Sequence, residues 1–365
     1  MAYYCSRCNK YWNYQVKRCI FCGQDLLSQH SKEYRVLGYT QVNIPSKGNE
    51  KVPYYVYLIE DENNVKKLMK STIEYNIGDR VDFELDRKSS ILIGIVGIGS
   101  MGLQIAEYFL SYGFNVHLKT RNSDKIVSIY ERIQKNLSKK YTSDDVRKIL
   151  DRCQITTEYL DLKGCDLIID ASSEDFDIKE SIFREISEIK KENAIIATNS
   201  SSISIDKLAA VTKMPEKCIG MHFFNPVRKM SLIEVIIGEK TSNDVIDTIF
   251  AVAKSIDKEP IVIRNSPGFV VNRLLLPQIN EAIRLLEQNV ANKESIDSAV
   301  KLGLNHPMGP FELADYIGLD ICISILNELH IELESEFYKP ANLLKTLVGE
   351  GKLGIKTGEG FYNYK

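Results

Sequence analysis

Ile93-Gly-Ile-Val-Gly97-Ile-Gly99-Ser100-Met101-Gly102 sets an apolar run directly before a Gly-x-Gly-x-x-Gly turn. The residues that follow read as a helix. Strand, glycine turn and helix in this order predict the phosphate-binding turn of a dinucleotide fold. Gly97 would permit the tight turn, and Gly99 would let the backbone approach a pyrophosphate. Gly102 would let helix and strand pack closely, with the phosphate held at the helix N-terminus beside Ser100 and Met101.

Outward from this turn the pattern repeats. Ile91–Val96, Asn115–Lys119, Asp166–Asp170, Ala194–Thr198 and Lys217–Met221 read as strands. Amphipathic helical stretches lie between them, such as Asp124 to Lys140 with Ile126, Ile129, Ile133 and Leu137 on one face. Such alternation predicts a Rossmann-type α/β domain with a parallel sheet over about residues 89–267. Beyond Pro267 the strand signal stops. Phe269–Gln288, Asn292–Leu302, Phe311–Asp315 and Asp320–Leu329 predict an all-helical domain over 268–365.

Upstream, residues 28–88 hold short β-type runs: Arg35–Asn43, Tyr54–Ile59 and Val81–Leu85, with Ser46-Lys-Gly and Ile77-Gly-Asp as turns. They predict a small antiparallel barrel or sandwich. Tyr54, Tyr55 and Tyr57 carry little basic charge around them, so strand packing is the expected role rather than base stacking.

Residues 1–27 are too short to bury a core unaided. Cys5-x-x-Cys8 and Cys19-x-x-Cys22 form two knuckles separated by ten residues. Four thiolates suit one tetrahedral Zn2+ and leave no open position, so the metal would be structural. Iron in a rubredoxin-like site and a redox-active dithiol are the alternatives. Cys153, Cys165, Cys218 and Cys322 are scattered singly among apolar neighbours and read as small buried hydrophobes in a reducing compartment.

Bulk properties narrow the function class. A net charge of −2 gives no field to draw nucleic acid or an anionic membrane. No apolar run approaches the ~20 residues that span a bilayer, and no secretory leader is visible at the start. A cytoplasmic location is the expectation.

The downstream motifs are specific. Ala197-Thr-Asn-Ser-Ser-Ser-Ile, Gly220-Met-His-Phe-Phe-Asn-Pro, Asn265-Ser-Pro-Gly-Phe-Val-Val-Asn-Arg, Lys301 to Asp315 and Gly354-Ile-Lys-Thr-Gly-Glu-Gly-Phe-Tyr resemble L-3-hydroxyacyl-CoA dehydrogenases over about residues 91–365. That resemblance implies a dinucleotide domain, a helical domain that dimerises, and an acyl-CoA thioester bound between them. The ribbon and β-runs of residues 1–86 resemble accessory proteins with a rubredoxin-like ribbon and an OB fold, which accompany thiolases and other acyl-CoA enzymes. A thiolase or similar partner is the implied contact of this module.

Within the dehydrogenase resemblance, His222 falls on the catalytic histidine and Glu234 on the acid that orients it. The chemistry fits: hydride leaves C3 only as the hydroxyl proton is removed, so a base titrating near neutrality is wanted. A carboxylate on the far ring nitrogen fixes the tautomer and stabilises the imidazolium. Ser201 matches the serine that bonds the substrate oxygen, and Asn272 the asparagine completing the site. Glu174, Lys179, Asn225 and Lys356 match cofactor contacts. The basic helix face of Lys125, Arg132, Lys135, Lys139 and Lys140 lies where the family meets the phosphates of CoA, although such faces are usually only solvated.

Two departures stand out. After the His222 motif the family continues Pro-Val-Met-Lys, whereas this chain has Arg228-Lys229-Met230-Ser231, adding charge beside the site. At the end of the second strand, ~20 residues past the glycines, an acid usually grips the adenosine ribose and favours NAD. Thr120 stands there, followed by Arg121. A hydroxyl and a guanidinium can hold a 2′-phosphate, which predicts NADP with NAD as the alternative. The expected reaction is the interconversion of (3S)-3-hydroxyacyl-CoA and 3-oxoacyl-CoA. The alternatives are a same-fold dehydrogenase of a sugar acid or carrier-bound acyl group, and a non-catalytic acyl-CoA scaffold.

Overall fold

The computed structural model describes residues 2–5, 10–12, 27–29, 34–43, 54–61, 66–71, 74–81 and 91–364. In the N-terminal part, β1 (Ala2–Cys5) pairs antiparallel with β2 (Lys10–Trp12) and β3 (Leu27–Gln29). The Cys5 side chain and Cys8, Cys19 and Cys22 lie outside the described residues, and with them the proposed metal site.

A second sheet follows, in the order β6-β5-β4-β7, from β4 (Tyr34–Val42), β5 (Tyr54–Asp61), β6 (Lys66–Ser71) and β7 (Arg80–Val81). All its pairings are antiparallel, with a bulge between Val36 and Gly38. Its core is Val36, Tyr55, Tyr57, Ile59, Tyr75 and Val81. Tyr54, Tyr55 and Tyr57 are indeed buried packing residues, and the Tyr57 hydroxyl accepts the Tyr75 N–H at 2.9 Å. The strand β6 was not expected, because its three lysines break the alternation of apolar residues. Ser46-Lys-Gly and the run after Val81 lie outside the described residues, so closure into a barrel does too.

From residue 91 the chain builds an eight-stranded sheet. Its elements in order are β8 (Leu92–Val96), α1 (Ser100–Ser111), β9 (Asn115–Lys119), α2 (Ile126–Leu137), α3 (Ser143–Leu150) and β10 (Cys153–Thr156). Then come β11 (Leu167–Asp170), α4 (Phe176–Ile189), β12 (Ile195–Thr198), α5 (Ile205–Ala209), β13 (Cys218–Phe223), β14 (Leu232–Ile237), α6 (Asn243–Ser255) and β15 (Glu259–Arg264). The strand order is β10-β9-β8-β11-β12-β13-β14-β15. The chain therefore runs outward from β8 in one direction and resumes from β11 in the other. This makes the β8/β11 boundary the topological switch point, where doubly wound sheets open a ligand crevice at the strand ends.

The expected all-parallel sheet needs one correction. β8, β11, β12 and β13 are parallel neighbours, but β14 runs antiparallel to β13, and β15 is parallel to β14. Only a short loop joins β13 to β14, too short for the helical crossover that parallel strands require.

The helical part holds α7 (Val271–Glu287), α8 (Lys293–Gly303), α9 (Pro310–Ile317), α10 (Leu319–Glu332) and α11 (Asn342–Gly349). Their shared core includes Leu276, Ile283, Phe311, Leu326, Leu329 and Phe361. Buried Asp297 caps α9 through the Phe311 N–H at 2.8 Å. Buried Asp315 takes the N–H groups of Phe361 and Tyr362, each at 2.9 Å, and so fastens the C-terminal segment. The four single cysteines are all buried, as expected. Burial alone pushes the Cys153 thiol up to about 12.

Candidate active site

The glycine turn behaves as its spacing requires. Gly97 has φ of +109°, and a Cβ there would meet the Ala171 carbonyl oxygen at 2.6 Å. A Cβ at Gly102 would sit 2.0 Å from the Gly97 oxygen, so the helix seats against its own turn. A Cβ at Gly99 would meet nothing within 4 Å; this is the side left open to a ligand. Gly97 through Met101 line a cleft of about 780 Å3, together with Lys119, Thr120, Arg121, Tyr159 and Asp177.

At the end of β9, Thr120 is buried and its Oγ1 accepts the Asn122 N–H at 3.2 Å. Lys119 is buried rather than turned away to solvent, with its ammonium 4.0 Å from the Tyr159 ring centroid. Burial holds its pKa down, Glu158 opposes the shift and Arg121 adds to it. Arg121 is exposed.

On the other side of the switch point, Lys179, read from the sequence as a cofactor contact, is buried in an ion pair. Its ammonium is 1% exposed and lies 2.7 Å from Asp170, which is 0% exposed at the end of β11. Asp170 also accepts the Thr198 hydroxyl and the Ser172 N–H, each at 3.0 Å. Glu174 Oε2 stands 3.8 Å from the same ammonium. Its Oε1 accepts from the Ser201 N–H at 2.8 Å, the Ser202 N–H at 3.0 Å and the Ser200 hydroxyl at 2.6 Å. The Ser201 hydroxyl is 3.2 Å from that oxygen. Glu174, Lys179 and Ser201 thus form one connected polar group. Asp170, which anchors it, was missed; a lone carboxylate ending the run Leu167-Ile-Ile-Asp was the available signal. Glu328 of α10 also faces the serine loop: burial raises its pKa, a hydrogen bond from Ser202 opposes this, and Glu174 adds to it.

The second group sits on the antiparallel pair. His222 of β13 and Glu234 of β14 are register partners, and His222 Nδ1 lies 2.8 Å from Glu234 Oε2. Glu234 is fully buried, and its Oε1 accepts the N–H groups of Val270 and Val271, each at 3.0 Å. These two amides precede Asn272 in the first turn of α7, so the carboxylate fixes where that asparagine starts. Phe224 and Phe269 pack on the imidazole, with ring centroids 4.6 and 5.6 Å away. Phe269 holds φ of +53°, a left-handed conformation unusual for an aromatic residue and found where surroundings over-determine it.

Asn225 Oδ1 accepts from Gln104 Nε2 at 3.0 Å. Lys356 is ion-paired with Asp320 of α10 at 2.5 Å and does not line the glycine-turn cleft.

A cleft around the glycine turn, at the switch point of a doubly wound sheet, and an imidazole braced by a buried carboxylate on the same sheet are the features of a dinucleotide-dependent oxidoreductase. Residues 92–266 match the 3-hydroxyacyl-CoA dehydrogenase NAD-binding domain, and residues 268–364 match the C-terminal domain of the same enzymes. The chain belongs to the 3-hydroxyacyl-CoA dehydrogenase family. It is similar to 3-hydroxybutyryl-CoA dehydrogenase of Clostridioides difficile, with 47% identity over 277 residues covering 74% of this chain and 99% of the relative. Human mitochondrial hydroxyacyl-coenzyme A dehydrogenase is 37% identical over 285 residues, covering 75% of this chain and 91% of its own. The crystal structure of (S)-3-hydroxybutyryl-CoA dehydrogenase PaaH1 from Ralstonia eutropha superposes with a TM-score of 0.72 at 43% identity, over 75% of this chain and 99% of that one.

Proposed function

We propose that this enzyme interconverts short-chain (3S)-3-hydroxyacyl-CoA and 3-oxoacyl-CoA, with 3-hydroxybutyryl-CoA and acetoacetyl-CoA as the natural pair. The observation that carries the reading is the buried 2.8 Å contact between His222 and Glu234. A nicotinamide bound at the glycine turn would supply the acceptor for the hydride of C3. His222 takes the C3 hydroxyl proton on Nε2, because Nδ1 is committed to Glu234. The carboxylate balances the imidazolium that results and keeps the ring aimed. Ser201 and Asn272 hold the reacting oxygen, and the reverse reduction returns the proton to that oxygen. The test is nicotinamide absorbance with acetoacetyl-CoA against free acetoacetate. Turnover of the thioester alone supports the reading; equal turnover of the free acid overturns it.

For the cofactor we infer a preference for NADP. A threonine, an arginine and a lysine surround the end of β9, where an NAD-selective site carries an acid. Glycine-turn contacts from Ser100 and Met101, and ribose-side contacts from Glu174, Lys179 and Asn225, serve either nicotinamide. Lys356 belongs to this set only if it exchanges Asp320 for the cofactor.

The helical domain is the proposed homodimer surface. For residues 1–88 the reading is a four-thiolate zinc ribbon and an OB-like sheet that docks a thiolase or another acyl-CoA enzyme in the cytoplasm. No helix among the described residues is long and apolar enough to cross a membrane.

A further inference from the structure

The loop Phe224–Ser231 joins the two strands that carry His222 and Glu234, and it is gripped at one residue. Val227 is 1% exposed. Its N–H donates to Gln104 Oε1 at 3.0 Å, and its carbonyl accepts from the Lys258 ammonium. Lys258 is itself buried; it donates to the Met230 carbonyl at 2.6 Å and lies 4.0 Å from the centroid of the Tyr108 ring. Two side chains from different elements therefore take both backbone polar groups of Val227. Gln104 lies one turn into α1. Its Nε2 donates to Asn225 Oδ1 at 3.0 Å and to Ser100 Oγ at 3.1 Å. One amide so connects the residue that opens α1 at the dinucleotide cleft, the Asn225 side chain and the loop behind the catalytic strand.

The electrostatics give this arrangement a purpose. A buried ammonium is costly unless its protons are satisfied, and a methionine of similar volume would fill the space more cheaply. Two carbonyl oxygens and an aromatic face satisfy Lys258, and what results is a fixed loop. Gln104 has both of its polar atoms committed, so its amide orientation is set by its partners rather than by solvent.

We propose that Gln104, braced by Lys258, is a positioning residue that sets Asn225 against the bound dinucleotide and ties the glycine turn to the His222–Glu234 hairpin. The proposal rests on Asn225 contacting the cofactor. Gln104 acts through Asn225, not by touching the substrate.

A double-mutant cycle tests it. NADH and NADPH affinities are measured by nucleotide fluorescence on the full chain for wild type, Gln104→Leu, Asn225→Ala and the double variant. Each single change should weaken binding about three- to tenfold, the scale of one ordinary hydrogen bond. The double variant should be no weaker than the worse single one, because both act through one contact. The primary deuterium isotope effect on turnover should rise in Gln104→Leu, which a purely structural role would not cause. Should Gln104→Leu fail to fold, Gln104→Ala removes the amide without adding bulk. Unchanged affinity in a folded Gln104 variant, or additive losses in the double variant, would overturn the clamp. Wild-type affinity in Asn225→Ala would remove Asn225 from the cofactor site and the clamp with it, while leaving the hydride chemistry at His222 standing.

Discussion

His222 and Glu234 meet across an antiparallel strand pair, in register, at 2.8 Å, and Glu234 carries two further bonds to the first amides of α7. One carboxylate therefore orients the His222 imidazole and holds the first amides of the helix that carries Asn272. Glu234 has no exposure, so no solvent can replace any of these contacts.

Glu234→Gln is expected to lose much of the turnover that His222 provides, and the loss should not add to that of a His222 variant, since the pair works as a unit. Glu234→Leu removes the acceptor of two amides as well. It should destabilise the fold by about 2–6 kcal/mol, because each of the two N–H groups left without an acceptor costs about 1–3 kcal/mol where water cannot replace it. Chemical denaturation and steady-state rates check the two effects separately.

The cofactor reading turns on two adjacent residues. Thr120→Asp/Arg121→Ile should move the ratio of kcat/KM values toward NADH, and wild type should prefer NADPH. Steady-state kinetics with both cofactors decide. A wild type that clearly prefers NADH would mean that Lys119 and Arg121 answer Glu158 and solvent, not a 2′-phosphate.

Where the sequence was legible, the signal was local. The glycine turn needs backbone approach within six residues, and the serine, histidine and asparagine motifs are contiguous. Glu234 was visible as a charge inside an apolar strand, which demands a buried partner. The reversal of β14 was hidden because an apolar run reads the same in either direction. α3 and β10 were missed because their polar residues, Ser143-Asp-Asp and Gln154, interrupt the apolar pattern that marks β11 and β12. The Lys179–Asp170 pairing was hidden because Asp170 stands on the preceding strand, nine residues back. Gln104 gave no signal, since its partners Asn225 and Val227 lie more than 120 residues away.

The Asp170–Lys179 pair makes a stability prediction. Lys179→Met leaves a carboxylate buried with only neutral donors, and breaking such a pair typically costs about 3–5 kcal/mol. Lys179→Met/Asp170→Leu should recover part of that loss. Urea midpoints of wild type, Lys179→Met, Asp170→Leu and the double variant give the result; a double variant weaker than both singles would contradict the account of a buried pair whose charges compensate each other.

For the N-terminal module, elemental analysis should find about one Zn2+ per chain, as four thiolates demand. Truncation to about residue 88 should leave a folded dehydrogenase. A truncated protein that is folded but cannot reduce free acetoacetyl-CoA would make the module part of the catalytic site.

The most direct test of the central claim is the single-turnover rate of acetoacetyl-CoA reduction in wild type and His222→Asn, with nucleotide bound to saturation in both. The account predicts a fall of ~10²–10⁴-fold, the range for removing a general acid–base group, with nucleotide affinity retained. A His222→Asn protein that reduces acetoacetyl-CoA at close to the wild-type rate would contradict it.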